Sequence, residues 1–444
     1  MTDGVMIMAD SYKIDNETQE YIVAMTDVGS TAIDTMEEAG STAIGTMEEA
    51  GSTTIGASEE AGSTTIGVAV DVGSTTIGVS CVDMVNREEI ISFNFPNPQV
   101  LYGADIITRI KHCIDEPKMT NRLSDMLICD LDSELYRRLG ESYDDISLIC
   151  YSGNTTMLHI MRGLSVVGLS KAPFKPVTLD YYEETESIHP TRTPEKENSE
   201  NIGKSVTKIY LPGISAFVGA DILSGAVGLD IGNDESYDLL IDLGTNGELL
   251  LLNKDYGYAT STACGTVFDH GVKGAVYGSE SIHAIAACVK RKLIDETGLI
   301  KEPFFEKGIE IDKDFTVKQD NVRRFQMAKA AIYAGIICLI KKANIGYDNI
   351  QNVYISGGLG FYLDVRDAFI TGMLPVEFKE KISVVGNTSL MGAKKYILEA
   401  KALYDKADST FLEKCENIRT RTTSFELADY EHFQDIYIGS MNFC

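Results

Sequence analysis

The sequence predicts an α/β protein of two similar lobes. From residue 67 onward, short apolar runs alternate with segments of helical periodicity. Two blocks of this alternation open the same way, with a strand, an Asp-x-Gly turn and a second strand. The turns are Asp71-Val-Gly-Ser-Thr-Thr76 and Asp242-Leu-Gly-Thr-Asn-Gly247. At 444 residues the chain is long enough for two or three domains.

Each element has its own reason. Val68–Val70 and Ile77–Val82 are apolar runs around a Gly turn and read as paired strands. Ala104–Ile114 and Asn121–Leu139 carry helical spacing, Ile146–Tyr151 is a buried strand, and Thr155–Met161 opens a helix. Residues 180–205 are polar and rich in Pro, Asn and Glu, which predicts a loop. Ser205–Leu211 follows as a strand, Ala216–Gly228 as a helix rich in small residues, and Gly232–Ser236 as a linker. The second block has strands Leu239–Asp242 and Glu248–Asn253, then helices Ser281–Glu296 and Asn321–Asn344. It closes with strand Val353–Ser356, the turn Gly357-Gly-Leu-Gly360, and helix Ser389–Ala402. The expected lobes are residues 67–235 and 236–444, with the C-terminal segment returning to the hinge. Two small-residue helices, one around Gly219–Gly225 and one around Gly386–Ala393, would cross there.

Composition narrows the function. Lys and Arg number 39 against 66 Asp and Glu, a net charge of −27, which repels nucleic acid and anionic membranes alike. The apolar window Met327–Ile340 is too short to cross a bilayer, and the first ten residues lack the basic and apolar regions of a secretory signal. The nine cysteines form no C-x-x-C pair and read as reduced core residues of a cytoplasmic protein. The six histidines form no H-E-x-x-H cluster.

One phrase recurs before the first lobe, with glycines at 29, 40, 51, 62 and 73 and an acid two residues before each. The units lack a persistent apolar stripe, so a helix is a poor reading. Only the last copy is flanked by apolar strands on both sides, so Asp71–Thr76 is taken as the working turn and residues 1–66 as a mobile leader. The rival reading gives the working turn to the first copy, at Asp27, which also follows an apolar run.

The two turns suit anion binding. Gly73 permits close backbone approach, while Ser74, Thr75 and Thr76 can donate to phosphate oxygens. Gly244, Thr245, Asn246 and Gly247 repeat that chemistry. Asp71 and Asp242 are the candidate metal holders, through water, and candidate catalytic groups. Gly357, Gly358 and Gly360 form a small-residue turn against which an adenosine could lie. There is no G-x-G-x-x-G and no Walker motif, which disfavours a dehydrogenase and a P-loop enzyme. Asp221 is the third candidate acid.

The order of these motifs resembles the superfamily of acetate and sugar kinases, heat-shock chaperones and actin. More narrowly, residues 67–443 resemble the ATP-dependent reductive activators of corrinoid proteins. The resemblance is carried by DVGSTTIG at 71, NPQVLYGADIITRI at 97, SGNTTMLHIMRGL at 152, PGISAFVGADILSG at 212, LIDLGTNGELLL at 240, ISGGLGFYLDVRDAF at 355 and VVGNTSLMGA at 384. It implies a two-lobed actin-like, ribonuclease H-like ATPase fold with ATP and Mg2+ in the cleft between lobes. It also implies a corrinoid protein or corrinoid-dependent methyltransferase as partner, and it leaves room for a homodimer. Full-length members carry an N-terminal [2Fe–2S] ferredoxin domain. The first cysteine here is Cys81, inside the nucleotide region, so the electrons are expected from an external donor such as a ferredoxin. The stretch Ser261–Asp269 is looser than the family's version. Two other classes remain open: a nucleotide-binding sensor without reductive activity, and a small-molecule kinase with Asp221 as its base.

Overall fold

The computed structural model describes residues 65–443 except 104, 189–203, 245, 265–266, 268–277, 361 and 403–409. Residues 65–444 form one compact unit. The four earlier repeat turns, at glycines 29, 40, 51 and 62, lie outside the described residues, as does the expected leader up to residue 64; its last residue, Ile66, opens β1.

The strands are β1 Ile66–Val72, β2 Thr76–Asp83, β3 Glu88–Pro96, β4 Ile146–Gly153, β5 Tyr182–Ile188, β6 Lys204–Tyr210, β7 Tyr237–Leu243, β8 Asn246–Leu252, β9 Gly257–Ala263, the short pair β10 Ile309–Glu310 and β11 Thr316–Val317, then β12 Ile350–Ser356, β13 Ile382–Gly386 and β14 Thr422–Ser424. The helices are α1 Ile106–Asp115, α2 Met119–Leu139, α3 Thr155–Met161, α4 Ala220–Leu229, α5 Gly278–Lys290, α6 Gln319–Ala343, the single turn α7 Gly357–Gly360, α8 Val365–Ile370, α9 Thr388–Ala402, α10 Thr410–Arg421 and α11 Phe433–Gly439.

Two six-stranded sheets repeat one plan. The first runs β3-β2-β1-β4-β6-β5 and the second β13-β12-β7-β8-β9-β14. In each, an antiparallel meander (β1-β2-β3, β7-β8-β9) is extended by parallel strands beside its first member: β4 and β6 in one, β12 and β13 in the other. Both faces of β7 are covered, one of them carrying Asp238 and Asp242 on either side of Leu240. Leu239, Ile241 and Leu243 enter the second core, while Leu240 enters the first. That alternation is the period of a strand in a sheet covered on both faces.

Helix α9 comes late in the chain yet packs on β1, β4 and α4. The α4–α9 crossing is tight because its residues are small. A Cβ on Gly392 would lie 2.2 Å from the Ser224 carbonyl oxygen, and one on Gly228 would lie 3.1 Å from the Gly392 Cα.

Three expectations need correction. Residues 182–188 and 204–205, placed in a loop, are strand: β5 pairs antiparallel with β6 at the sheet edge. Its polar side chains face partners there, with Glu186 paired to Lys208 at 2.5 Å and Glu184 accepting from the Tyr210 hydroxyl at 3.0 Å. Polar edge strands guard a sheet against further pairing, so their composition imitates a loop. The helix expected from Ala216 begins at Ala220, because the Ser215 hydroxyl accepts the Phe217 and Val218 amides and turns the chain first. The helix expected to reach Glu296 stops at Lys290, where Lys292 takes a left-handed φ of 57°. Strands β3, β9, β10, β11, β13 and β14 and helices α8, α10 and α11 were not foreseen.

Seven of the eight cysteines at positions 81–415 are buried thiols, Cys129 being the exposed one. Among the described residues no helix is long and apolar enough to cross a membrane.

Candidate functional site

The site is built where the two sheets offer equivalent strand ends. Asp71 lies near the end of β1 and pairs in register with Ser152 on parallel β4. Asp242 lies near the end of β7 and pairs in register with Ser356 on parallel β12. Each serine is followed by a glycine with positive φ, Gly153 at 153° and Gly357 at 88°. A side chain at Gly357 would come within 2.7 Å of Asp242 Oδ1, so only glycine lets that turn approach the carboxylate.

Asp242 Oδ2 accepts from the Ser356 hydroxyl at 2.6 Å. Asp71 is held from α9: its Oδ2 accepts from Asn387 Nδ2 and its Oδ1 from Ser389 Oγ, both at 2.7 Å. Behind Ser389 stand the buried hydroxyls of Ser152 at 2.9 Å and, beyond it, Ser224 of α4 at 2.8 Å. Asp221 sits in the first turn of α4, its Oδ1 accepting its neighbour Ile222's amide at 2.9 Å.

The three carboxylates share one electrostatic environment. Burial raises Asp221 to about 7, and the charges of Asp242 and Asp71 add to the rise. Burial raises Asp242 to about 6 against the pull of Ser356, with the Asp71 charge contributing. Burial raises Asp71 too, opposed by Ser389 and Asn387. The structure thus brings Asp71, Asp221 and Asp242 within one another's field, and their hydrogen-bond partners are all neutral. A divalent cation would supply the missing countercharge, so the residues fit magnesium accompanying a phosphate. Among the described residues no group of three His, Cys, Asp or Glu could ligate an ion directly. A hydrated ion held through water suits such a set.

The turn after Asp71 is braced from behind. Asn97 Nδ2 donates to the Gly73 carbonyl at 2.8 Å, and its amide donates to the Thr75 carbonyl at 2.8 Å. Arg109, fully buried on α1, donates to the Ser74 carbonyl at 2.5 Å and to the Gly103 carbonyl at 2.9 Å. Burial pulls its guanidinium down to about 10. A Cβ on Gly73 would strike the Thr76 carbonyl at 2.4 Å, so that glycine is sterically required. Ser74 is buried, Thr75 half-buried and Thr76 exposed.

In the second turn Gly244 has room for a side chain, and its amide closes the turn on the Asn246 carbonyl at 3.0 Å. Gly247 is small for packing, since a Cβ there would meet Ile332 of α6 at 2.8 Å. Thr245 lies outside the described residues. Gly358 is open on its side-chain face, and Gly360 closes the same helical turn. None of the predicted site residues lines the small cavity between His159, Arg162, Thr178 and Tyr210.

Sequence reasoning missed Asn97, Arg109, Ser152, Ser356, Asn387 and Ser389. A signal existed for two of them: Ser-Gly closes a strand at both 152 and 356, a second repeat alongside the Asp-x-Gly pair.

Comparison with known proteins fits this duplicated architecture. Residues 66–234 match the RACo middle region, and residues 266–444 match the C-terminal domain of RACo, the ASKHA domain. The chain is homologous to the RACo proteins in both halves. It is 27% identical over 410 residues to the corrinoid activation enzyme RamQ of Eubacterium limosum, covering 78% of this chain and 65% of that one. It is 31% identical over 131 residues to the [Co(II) methylated amine-specific corrinoid protein] reductase of Methanosarcina barkeri, covering 29% and 23%. The chain therefore spans less than two thirds of these curated relatives' length. Among solved structures, a reductive activator for corrinoid, iron-sulfur protein superposes with a TM-score of 0.71 at 24% identity, covering 87% of this chain and 67% of that one. That likeness shows the fold, which is the ASKHA architecture expected from the motif order.

Proposed function

We propose that the protein binds and hydrolyses ATP with magnesium, and uses it to drive reductive reactivation of a corrinoid protein in the cob(II)alamin state. An external donor such as a ferredoxin would supply the electrons. The observation that carries this reading is the trio of Asp71 and Asp242 at the ends of two equivalent strand pairs and Asp221 in the first turn of α4, each raised by burial, with the charge of Asp71 adding to the rise at Asp242 and the charges of both adding to it at Asp221. Such a set favours a ligand that brings its own cation. The homologues' names support the corrinoid partner.

When bound, the nucleotide would supply a phosphoanhydride whose hydrolysis can bias a conformational equilibrium. The protein's part is positional. Asp71 and Asp242 would hold a hydrated cation and orient water, and Asp221, raised by burial, would accept a proton near neutral pH. The backbone of Gly73–Thr76, fixed by Asn97 and Arg109, presents donors to phosphate oxygens. The Gly357–Gly360 turn leaves space for the adenosine. Because α9 grips Asp71 and also packs on α4, a change at Asp71 is felt at the helix crossing.

The test is ATP turnover measured with magnesium, a reductant, and either a cob(II)alamin protein or none. Turnover that rises with that protein, together with appearance of cob(I)alamin, is the expected result. ATP turnover indifferent to any corrinoid protein would instead support a sensor. No ATP affinity by calorimetry would remove both readings.

A further inference from the structure

The first lobe carries a cap that is separate from the two main cores. Ile110, Cys113, Met119, Leu123, Ile160 and Val166 form its own buried cluster. Around that cluster helix α1 packs on both the 3-10 turn Pro98–Tyr102 and the 3-10 turn Val167–Leu169. Their outer residues include exposed aliphatics: Leu101 is 84% exposed, with Val100 in the same turn, Ile107 on α1 and Val167 in the second turn also exposed. Single exposed aliphatics are ordinary, but four on adjoining elements are the pattern of an interaction surface.

The charge here opposes that of the molecule. Besides the buried Arg109, residues 97–122 and 162–177 carry six Lys or Arg against three Asp or Glu, in a chain of net −27. Lys111 stands one helical turn beyond Ile107, and Lys175 is tied to the Val167 turn by its amide on the Gly168 carbonyl at 2.8 Å. Lys171 is exposed in the same loop.

We infer that this cap is the docking face for an acidic protein partner, an aliphatic centre rimmed by Lys111, Lys171 and Lys175. The identity of that partner as the corrinoid protein rests on the function proposed above. A second copy of the chain is the poorer occupant, since a twofold contact through this face would set lysine against lysine. The cap also has a route to the site. Asn97 and Arg109 frame Val100, Leu101 and Ile107 in sequence and hold the Gly73 and Ser74 carbonyls from behind. A partner pressing on the outside of this segment therefore acts on the same backbone that shapes the phosphate turn.

The experiment titrates a corrinoid protein, in the cob(II)alamin state with magnesium-ATP, onto the full-length chain. Wild type is compared with Leu101→Asp/Ile107→Asp and with Lys171→Glu/Lys175→Glu. Each double variant should bind about tenfold or more weakly, with melting temperature and basal ATP turnover unchanged. Added salt should weaken wild type more than the charge-reversed variant. Variants that bind as tightly as wild type overturn the docking face and leave the activator reading standing. A wild type that neither binds nor activates that protein overturns both. If sedimentation shows a homodimer that Leu101→Asp/Ile107→Asp dissolves, or if the face binds phosphatidylserine vesicles, the occupant is different and the inference fails.

Discussion

Burial raises the Asp242 carboxyl to about 6 and that of Asp221 to about 7, both above the ordinary value of 3.8. Across that interval the folded chain holds protons that the unfolded chain has released. Their contribution to stability is therefore greatest below the unfolded value and declines as pH rises through the folded values. Melting of nucleotide-free protein by calorimetry should show this as a slope between about pH 4 and pH 7 that Asp242→Asn makes shallower. An unchanged slope in the variant would contradict the assigned environment. The same substitution should cut magnesium-ATP turnover by about a hundredfold or more, because the charge that holds cation and water is gone while the shape is kept. Arg109 makes the complementary case. Arg109→Met leaves the Ser74 and Gly103 carbonyls without this donor, which costs about 1–3 kcal/mol. Urea unfolding should register that loss, and magnesium-ATP affinity should fall further than in Lys111→Met on the exposed face of the same helix.

At the scale of elements, the α4–α9 crossing depends on absent side chains. Gly392→Ala would place its Cβ 2.2 Å from a backbone oxygen of the facing helix, which cannot rotate away. The helices must separate, at about 1–3 kcal/mol by denaturant midpoint. Gly439→Ala, where a Cβ meets nothing within 4 Å, is the neutral control. This crossing was legible in the sequence because small residues cluster at Gly219–Gly225 and Gly386–Ala393. The two Asp-x-Gly hairpins were legible because an apolar strand on each side leaves the turn one role. Strand β5 was not, since an edge strand of Glu and Thr shares its composition with a loop. The bracing of the first turn was hidden for another reason. Asn97 and Arg109 act on Gly73 and Ser74 across 24 and 35 residues of chain, and no local pattern records that contact. The Ser389 grip on Asp71 spans 318 residues and joins the end of the chain to the start of the first sheet.

For the whole molecule, the first sheet needs a defined beginning, and β1 provides it at Ile66, buried in the first core. Just before it, the Thr65 carbonyl accepts the Met84 amide at 2.9 Å, and every residue of β1 pairs with β2 on one side and β4 on the other. The Asp71 turn is thereby anchored by strands on both sides, which a phosphate-binding turn requires if its donors are to hold position. The second to fourth repeat copies are preceded by Thr-Met-Glu-Glu or Ala-Ser-Glu-Glu, which cannot continue a buried strand. The expectation is that residues 1–62 are dispensable for the nucleotide site. A chain lacking them should melt within a few degrees of the full-length protein and bind magnesium-ATP with similar affinity by calorimetry. Asp71→Ala in the full-length chain should weaken that binding, while Asp27→Ala should leave it unchanged. If truncation abolishes binding and Asp27→Ala does the same, the first copy of the repeat holds the phosphate and the working turn has been misplaced.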